Sequence, residues 1–91
     1  MSESVLSSTF ECYICKRGGQ LERHHVFNNN PNRRLSEKYG AWVYLCPECH
    51  REVHADITAR LDLKQEAQKA LMEAEGWTVE DFRSVFGKNY L

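Results

Sequence analysis

The 91-residue sequence has no apolar run close to the roughly 20 residues that a membrane-spanning helix needs. Its N-terminus, MSESVLSS, lacks the basic and apolar regions of a signal peptide. Internal repeats and low-complexity tracts are also missing, and a composition of 42% hydrophobic and 27% charged residues is typical of a folded protein. We therefore expect one small cytoplasmic domain without a membrane partner, short enough for a bound metal to contribute to its stability.

An excess of charge of one sign is missing as well, because the formal net charge is -1. The charges are nevertheless unevenly distributed. Between Cys12 and His54 basic residues outnumber acidic ones by seven to four, whereas residues 55–91 carry five basic and seven acidic residues. The cysteine-rich half can therefore meet a phosphate backbone, and no such contact is expected of the C-terminal part. On charge alone, a solvated surface of mixed sign is the simpler explanation.

Cysteine and histidine are scarce, with four of each, and all eight lie between residues 12 and 54. The cysteines form two C-x-x-C pairs, which in a reducing compartment favour metal ligation over disulfides. A two-residue spacer lets both thiolates of a tight turn bind one zinc ion at about 2.3 Å. We predict a structural Zn²⁺ bound by Cys12, Cys15, Cys46 and Cys49. Free buried cysteines or a redox pair are the alternative.

The histidines suggest a second site. His50 and His54 are four residues apart in LCPECHREVH, so on a helix both imidazoles can reach one ion. His24 and His25 are adjacent in ERHHVF; in a strand they point to opposite faces, so one can join the ion while the other faces away. Three histidine ligands leave positions open for water and substrate, as in catalytic sites.

Other assignments remain open at this stage. The histidine pair also fits a buried core histidine beside an exposed one, and the alternating Trp42 and Tyr44 fit a core strand better than a base-stacking surface. Two structural zinc ions are a further alternative, one bound by Cys12, Cys15, His24 and His25 and the other by Cys46, Cys49, His50 and His54.

The pattern of apolar residues and turn signals predicts an α+β fold. We expect strands at residues 10–14, 21–27 and 42–45, and a long surface loop at 28–40 with one helical turn near 35–39. Helices are expected at 47–56 and 61–75, and a third after the capping residue Thr78. The domain plan is a flexible N-terminus over residues 1–9, a metal-binding domain over 10–58 and a helical C-terminal extension over 59–91.

The ordered set C-x-x-C, HH and C-x-x-C-H-x-x-x-H covers residues 12–54, about half the chain. This set resembles the HNH endonucleases of the ββα-metal superfamily, especially the small phage-type proteins with a four-cysteine zinc. The resemblance implies a zinc-stabilised ββα-metal domain and a metal-dependent DNA endonuclease that leaves 5′-phosphate and 3′-hydroxyl ends. It also implies that His25 is the general base. The catalytic ion, Mg²⁺, Mn²⁺, Ni²⁺ or Zn²⁺, would be held by His24, His50 and His54.

One position departs from the family pattern. Nine residues before His50 the family has an asparagine that hydrogen-bonds across the loop and so holds the base, and here that position is Ala41. Four asparagines lie nearby in sequence: Asn28, Asn29, Asn30 and Asn32. This departure keeps a non-catalytic binding module for nucleic acid or protein as the alternative function.

The predicted phosphate contacts are Arg23, Arg33, Arg34 and Lys38, since guanidinium groups can pair with two phosphate oxygens. A weaker alternative is an interaction protein. In that case the helices after Leu61 would bind a second copy of the chain or another phage protein.

Overall fold

The computed structural model describes residues 3–29 and 32–91. Its elements are β1 (Glu22–His25), α1 (Asn32–Tyr39), β2 (Trp42–Leu45), α2 (Pro47–Ala55), α3 (Ile57–Glu75) and α4 (Val79–Phe86). The two strands form an antiparallel sheet in which His24 faces Val43 and His25 faces Trp42. The predicted α+β class is therefore confirmed. None of the helices within the described residues has both the length and the apolar character of a membrane span.

The strand expected at residues 10–14 does not form. Those residues lead into a tight turn, in which the amide of Cys12 donates to Arg17 O at 2.8 Å and the amide of Lys16 donates to Cys12 O at 2.9 Å. Lys16 takes a positive φ of 66° to close this turn. A turn that brings two cysteines together thus prevails over the β propensity of the residues around it.

Helix α1 is longer than the sequence predicted. We expected one turn near residues 35–39, whereas the helix covers Asn32–Tyr39. Its start is supported by the amide of Arg33, which donates to Asn29 O at 3.0 Å. Polar residues dominate this helix, whose apolar residues are Leu35 and Tyr39, and packing against β1 and α4 stabilises it.

The last three helices follow their capping residues. Helix α3 begins at Ile57, four residues earlier than expected, because the Asp56 carboxylate accepts from the amides of Thr58 and Ala59. Helix α4 has the predicted capping box, with Thr78 and Asp81 each accepting from the other's amide.

A single core joins the predicted nuclease part to the C-terminal helices. Phe27, which follows β1, is 1% exposed and lies 5.5 Å from Phe82 and 4.7 Å from Phe86 between ring centroids. On α3 the predicted apolar face buries Leu63, Ala67 and Leu71. The boundary expected at residue 58 therefore does not separate two hydrophobic cores.

The N-terminal segment contacts this core from Ser4 onward. The amide of Val5 donates to Gly40 O at 2.9 Å, and Val5 and Leu6 pack against the buried cluster. Gly40 has a φ of 81°, and a Cβ at this position would lie 2.1 Å from Glu3 O. Glycine is therefore required where the segment crosses the start of β2. The segment predicted to be flexible thus has specific contacts over residues 4–6, because Val5 and Leu6 are apolar.

Candidate metal centres and the histidine cavity

The four cysteines lie together and form the cysteine cluster, Cys12, Cys15, Cys46 and Cys49, whose sulfur atoms are all within 4.8 Å of one another. Cys15 Sγ lies 3.8 Å from Cys46 Sγ. Two sulfurs that bind one zinc ion tetrahedrally at about 2.3 Å are about 3.8 Å apart. The cluster is therefore compatible with a structural metal ion such as zinc.

Both C-x-x-C turns present their sulfurs in the same way. The amide of Cys15 donates to Cys12 Sγ and the amide of Cys49 donates to Cys46 Sγ, each at 3.5 Å. Cys46 also caps α2, so the second turn is continuous with the start of a helix. Amide donors aimed at sulfur stabilise the thiolate, which is the metal-binding form.

The pKa values of these thiols also indicate that a cation would stabilise the cysteine cluster. Burial opposes the ionisation of Cys12, but hydrogen bonds from Cys15, Cys46 and Ile14 outweigh it and lower the pKa of Cys12 to about 6. At Cys49, burial raises the pKa, as do hydrogen bonds with neighbouring thiols. Four adjacent sulfurs cannot all ionise without a compensating charge, and a divalent ion supplies that charge.

The second group is the histidine cluster, His24, His50 and His54, in which one ring nitrogen of each residue lies within 4.8 Å of the others. His50 Nε2 and His54 Nε2 are 3.1 Å apart. Nitrogens that bind one ion at about 2.1 Å are about 3.0 to 3.4 Å apart. That separation also suits a hydrogen bond between two imidazoles. With the third ring, from His24, the three histidines could hold a metal ion.

His24 is well suited to ligation. It is 4% exposed, on the face of β1 that packs against α2. Burial, together with the charges of His50 and His54, lowers the pKa of His24 to about 4. The imidazole is therefore neutral near pH 7, which is the form that binds metals.

One of these histidines, His50, is in contact with a carboxylate. Glu22 Oε1 lies 2.7 Å from His50 Nδ1, so His50 donates its Nδ1–H to Glu22 and directs Nε2 at His54. Carboxylate–histidine pairs of this kind orient metal ligands and raise their basicity. The sequence did not predict a role for Glu22, because Glu22 and His50 are brought together only by the packing of α2 against β1.

His25 lies apart from the histidine cluster and has a carboxylate of its own. Its Nε2 lies 2.6 Å from Glu37 Oε2, and Arg23 pairs with the other oxygen of Glu37. A carboxylate only accepts hydrogen bonds, so Nε2 carries the proton and Nδ1 is left with a lone pair. Arg23 in turn stacks on Trp42, with its guanidinium carbon 3.8 Å from a ring centroid.

One cavity of about 290 Å³, called the histidine cavity below, connects these groups. Its lining consists of Arg23, His24, His25, Asn28, Arg33, His50 and His54. Two of the predicted phosphate contacts, Arg23 and Arg33, therefore border the histidines. Arg34 lines an adjoining opening with Arg33 and Glu37, whereas Lys38 lies over the Tyr39 ring and lines neither cavity.

The position of the family's asparagine is occupied by a buried Ala41. Of the nearby asparagines, Asn28 lines the histidine cavity and Asn32 donates to Phe86 O at 2.9 Å, while Asn30 is outside the described residues. A bond across the loop comes instead from Ser36. Its buried hydroxyl donates to Phe27 O at 2.8 Å and accepts from the Phe27 amide at 3.2 Å.

Comparison with known proteins gives no family assignment. No family model matches the chain, and neither the curated proteins nor the solved structures include a significant match to it. The geometry of the two clusters is therefore the basis for any functional conclusion.

We predict that Cys46→Ser abolishes metal binding at the cysteine cluster and leaves the chain unfolded near room temperature. A structural zinc contributes on the order of 10 kcal/mol of apparent binding energy in small domains, about as much as the folding stability of a whole domain. Titration with Co²⁺ measures metal binding at the cysteine cluster, since Co²⁺ bound to thiolates has a charge-transfer absorption band. His50→Ala is the control and keeps this band. A Cys46→Ser protein with an unchanged melting temperature would contradict the prediction.

We predict that Glu22→Gln weakens binding of Ni²⁺ at the histidine cluster by about 10- to 100-fold, since the carboxylate that orients His50 is lost. Calorimetric titration of protein with zinc already on the cysteine cluster measures this affinity without any need for activity. Glu52→Gln is the matched control, because Glu52 is exposed and two residues from His50, hence on the other side of α2. Equal affinities in the two variants would show that Glu22 has no such role.

Proposed function

We propose that this chain is a metal-dependent endonuclease of the HNH, or ββα-metal, type that hydrolyses phosphodiester bonds in DNA. The observation that carries the proposal is the histidine cavity. In it, three convergent histidines stand beside a fourth whose ring is held by a carboxylate, and arginines line the same space. The chain order β1, β2, α2 and the lining of the cavity by β1 and α2 are what the resemblance in the sequence implies.

The two clusters have different chemistry and are proposed to have different roles. Four thiolates close a coordination sphere and suit a structural zinc, whereas three imidazoles leave positions for water and substrate. A divalent ion held by His24, His50 and His54 would stabilise the charge that develops on the phosphate and on the 3′ oxygen leaving group. Mg²⁺, Mn²⁺, Ni²⁺ and Zn²⁺ are the candidates for this ion.

His25 is the proposed general base. Its Nε2–H donates to Glu37, so Nδ1 is the nitrogen that takes the proton from the attacking water. Glu37 also stabilises the imidazolium that results. The Arg23 guanidinium, stacked on Trp42, pairs with the second oxygen of Glu37. Arg23 thus positions Glu37, and Glu37 positions the base.

Both effects of the family's asparagine, the bond across the loop and the support of the base, have substitutes in α1. Ser36 ties the loop to Phe27, two residues after His25, and Glu37 holds the imidazole itself. The absence of an asparagine at position 41 therefore does not leave the base unsupported. This arrangement favours an enzyme over a binding module that has lost its chemistry.

The test is cleavage of supercoiled plasmid by zinc-loaded protein, with magnesium, manganese or nickel added in turn. We expect nicking or linearisation that requires the added ion, stops with EDTA and falls by about 100- to 10,000-fold in His25→Ala. Circular dichroism and zinc content should be unchanged in that variant. A folded, zinc-loaded wild type that binds DNA but does not cleave it with any ion would instead indicate the binding module.

Glu37→Gln tests how the base is held. Gln keeps the size of the side chain but removes the charge that pairs with His25 and Arg23, so we expect kcat to fall by about 10- to 100-fold. The concentration of added ion at half-maximal activity should stay the same, because Glu37 contacts none of the three clustered histidines. Glu52→Gln is the control for loss of one exposed carboxylate. A loss of metal affinity equal to the loss of kcat would contradict the positioning role.

A further inference from the structure

Three cations of the C-terminal half meet at one cavity of about 410 Å³. They are Arg60 and Lys64 of α3 and Lys88 of the C-terminal tail, called the cation cluster below. Ile57, Leu61 and Tyr90 line the same cavity. The sequence predicted no phosphate contact here, because residues 55–91 carry a net negative charge; the fold nevertheless brings three positive side chains together.

The tail that carries Lys88 is held firmly against α3. Gln68, which is 0% exposed, donates to Asn89 Oδ1 at 2.7 Å and accepts from the Tyr90 amide at 2.8 Å. Gln65 donates to Tyr90 O at 2.9 Å. The ammonium groups of Lys64 and Lys88 lie 5.3 and 5.5 Å from the centroid of the Tyr90 ring. These contacts fix the position of Lys88 relative to α3, so the cation cluster is held together by the fold.

No acidic side chain among the described residues forms an ion pair with any of the three cations. Burial lowers the pKa of Lys64, and the charges of Arg60 and Lys88 lower it further. Convergent like charges repel one another, and a bound anion removes that repulsion. The arrangement therefore favours an anionic ligand.

The cation cluster adjoins the histidine cluster. The Arg60 guanidinium donates to the main-chain oxygen of His54, one of the three clustered histidines. An anion bound at the cluster is therefore close to the place where the proposed scissile phosphate would lie. Ile57 and Leu61 at the rim, 74% and 45% exposed, add apolar surface that suits the sugar carbons next to a phosphate.

We infer that Arg60, Lys64 and Lys88 form a second phosphate site, which binds a backbone phosphate flanking the scissile one on the same nucleic acid. The inference rests on the proposed function for the identity of its ligand. Lysine and arginine contacts of this kind position the strand and carry no sequence information. Substrate would then contact both sides of the metal centre, with Arg23 and Arg33 on one side and the cation cluster on the other.

Salt-dependent DNA binding tests the assignment. The protein is the zinc-loaded His25→Ala chain, and the probe is a fluorescein-labelled duplex followed by anisotropy between about 50 and 200 mM salt. We expect Lys64→Gln and Lys88→Gln each to weaken binding and to reduce the slope of log K against log salt by about one. Lys69→Gln, an exposed lysine of the same helix outside the cavity, is the matched control. Equal slopes in all three variants would overturn the proposal.

A second arm separates this inference from the proposed function. Pyrophosphate is titrated into the wild-type chain, and the amide resonances of Lys64 and Lys88 are followed by NMR. Saturable shifts that disappear in Lys64→Gln support the anion site even if the protein neither cleaves nor binds DNA, an outcome that rejects the nuclease. Absence of such shifts overturns the site. Pyrophosphate binding without any effect of the lysine variants on DNA affinity overturns the nucleic-acid assignment and points to an acidic peptide.

Discussion

The convergence of four sulfur atoms is the constraint on which the rest of this small structure depends. It joins a turn near the N-terminus to the N-cap and first turn of α2, although 30 residues, 16–45, separate the two pairs of cysteines in sequence. A cation such as zinc would offset the charge of adjacent thiolates and would fix the start of α2. His50 and His54 follow Cys46 on that helix, so the structural site determines where the second site can form.

Helix α1 gives the histidine cavity its second wall. Ser36 and Glu37 are consecutive residues with different tasks: one bonds to the main chain of Phe27, and the other bonds to the ring of His25. Successive helical residues point about 100° apart, so a single turn of α1 can contact both the loop and the His25 ring. Helix α1 thus supplies both contacts through two neighbouring side chains.

Sequence alone was informative where the signal is local. The spacing of the cysteines, the four-residue spacing of His50 and His54, strand β2 and the capping box of α4 all depend on residues close in sequence. The contacts of Glu37 with His25 and of Glu22 with His50 span 12 and 28 residues. A carboxylate in a polar sequence is usually a solvated charge, and nothing in its neighbours distinguishes one that holds a histidine. The cation cluster was hidden for the same reason, because net charge averages over faces that the fold separates.

The aromatic contacts between Phe27 and α4 have a consequence for cooperativity. Phe27 lies two residues beyond His25, yet its neighbours Phe82 and Phe86 come from the far end of the chain. Single domains of this size usually unfold in one cooperative transition, so we expect a chain with one shared core to open as a unit. The part of the chain that holds the cysteine and histidine clusters thus shares its buried core with α3 and α4. The histidine cluster then keeps its geometry no longer than this shared core stays folded, and both α3 and α4 contribute to that core.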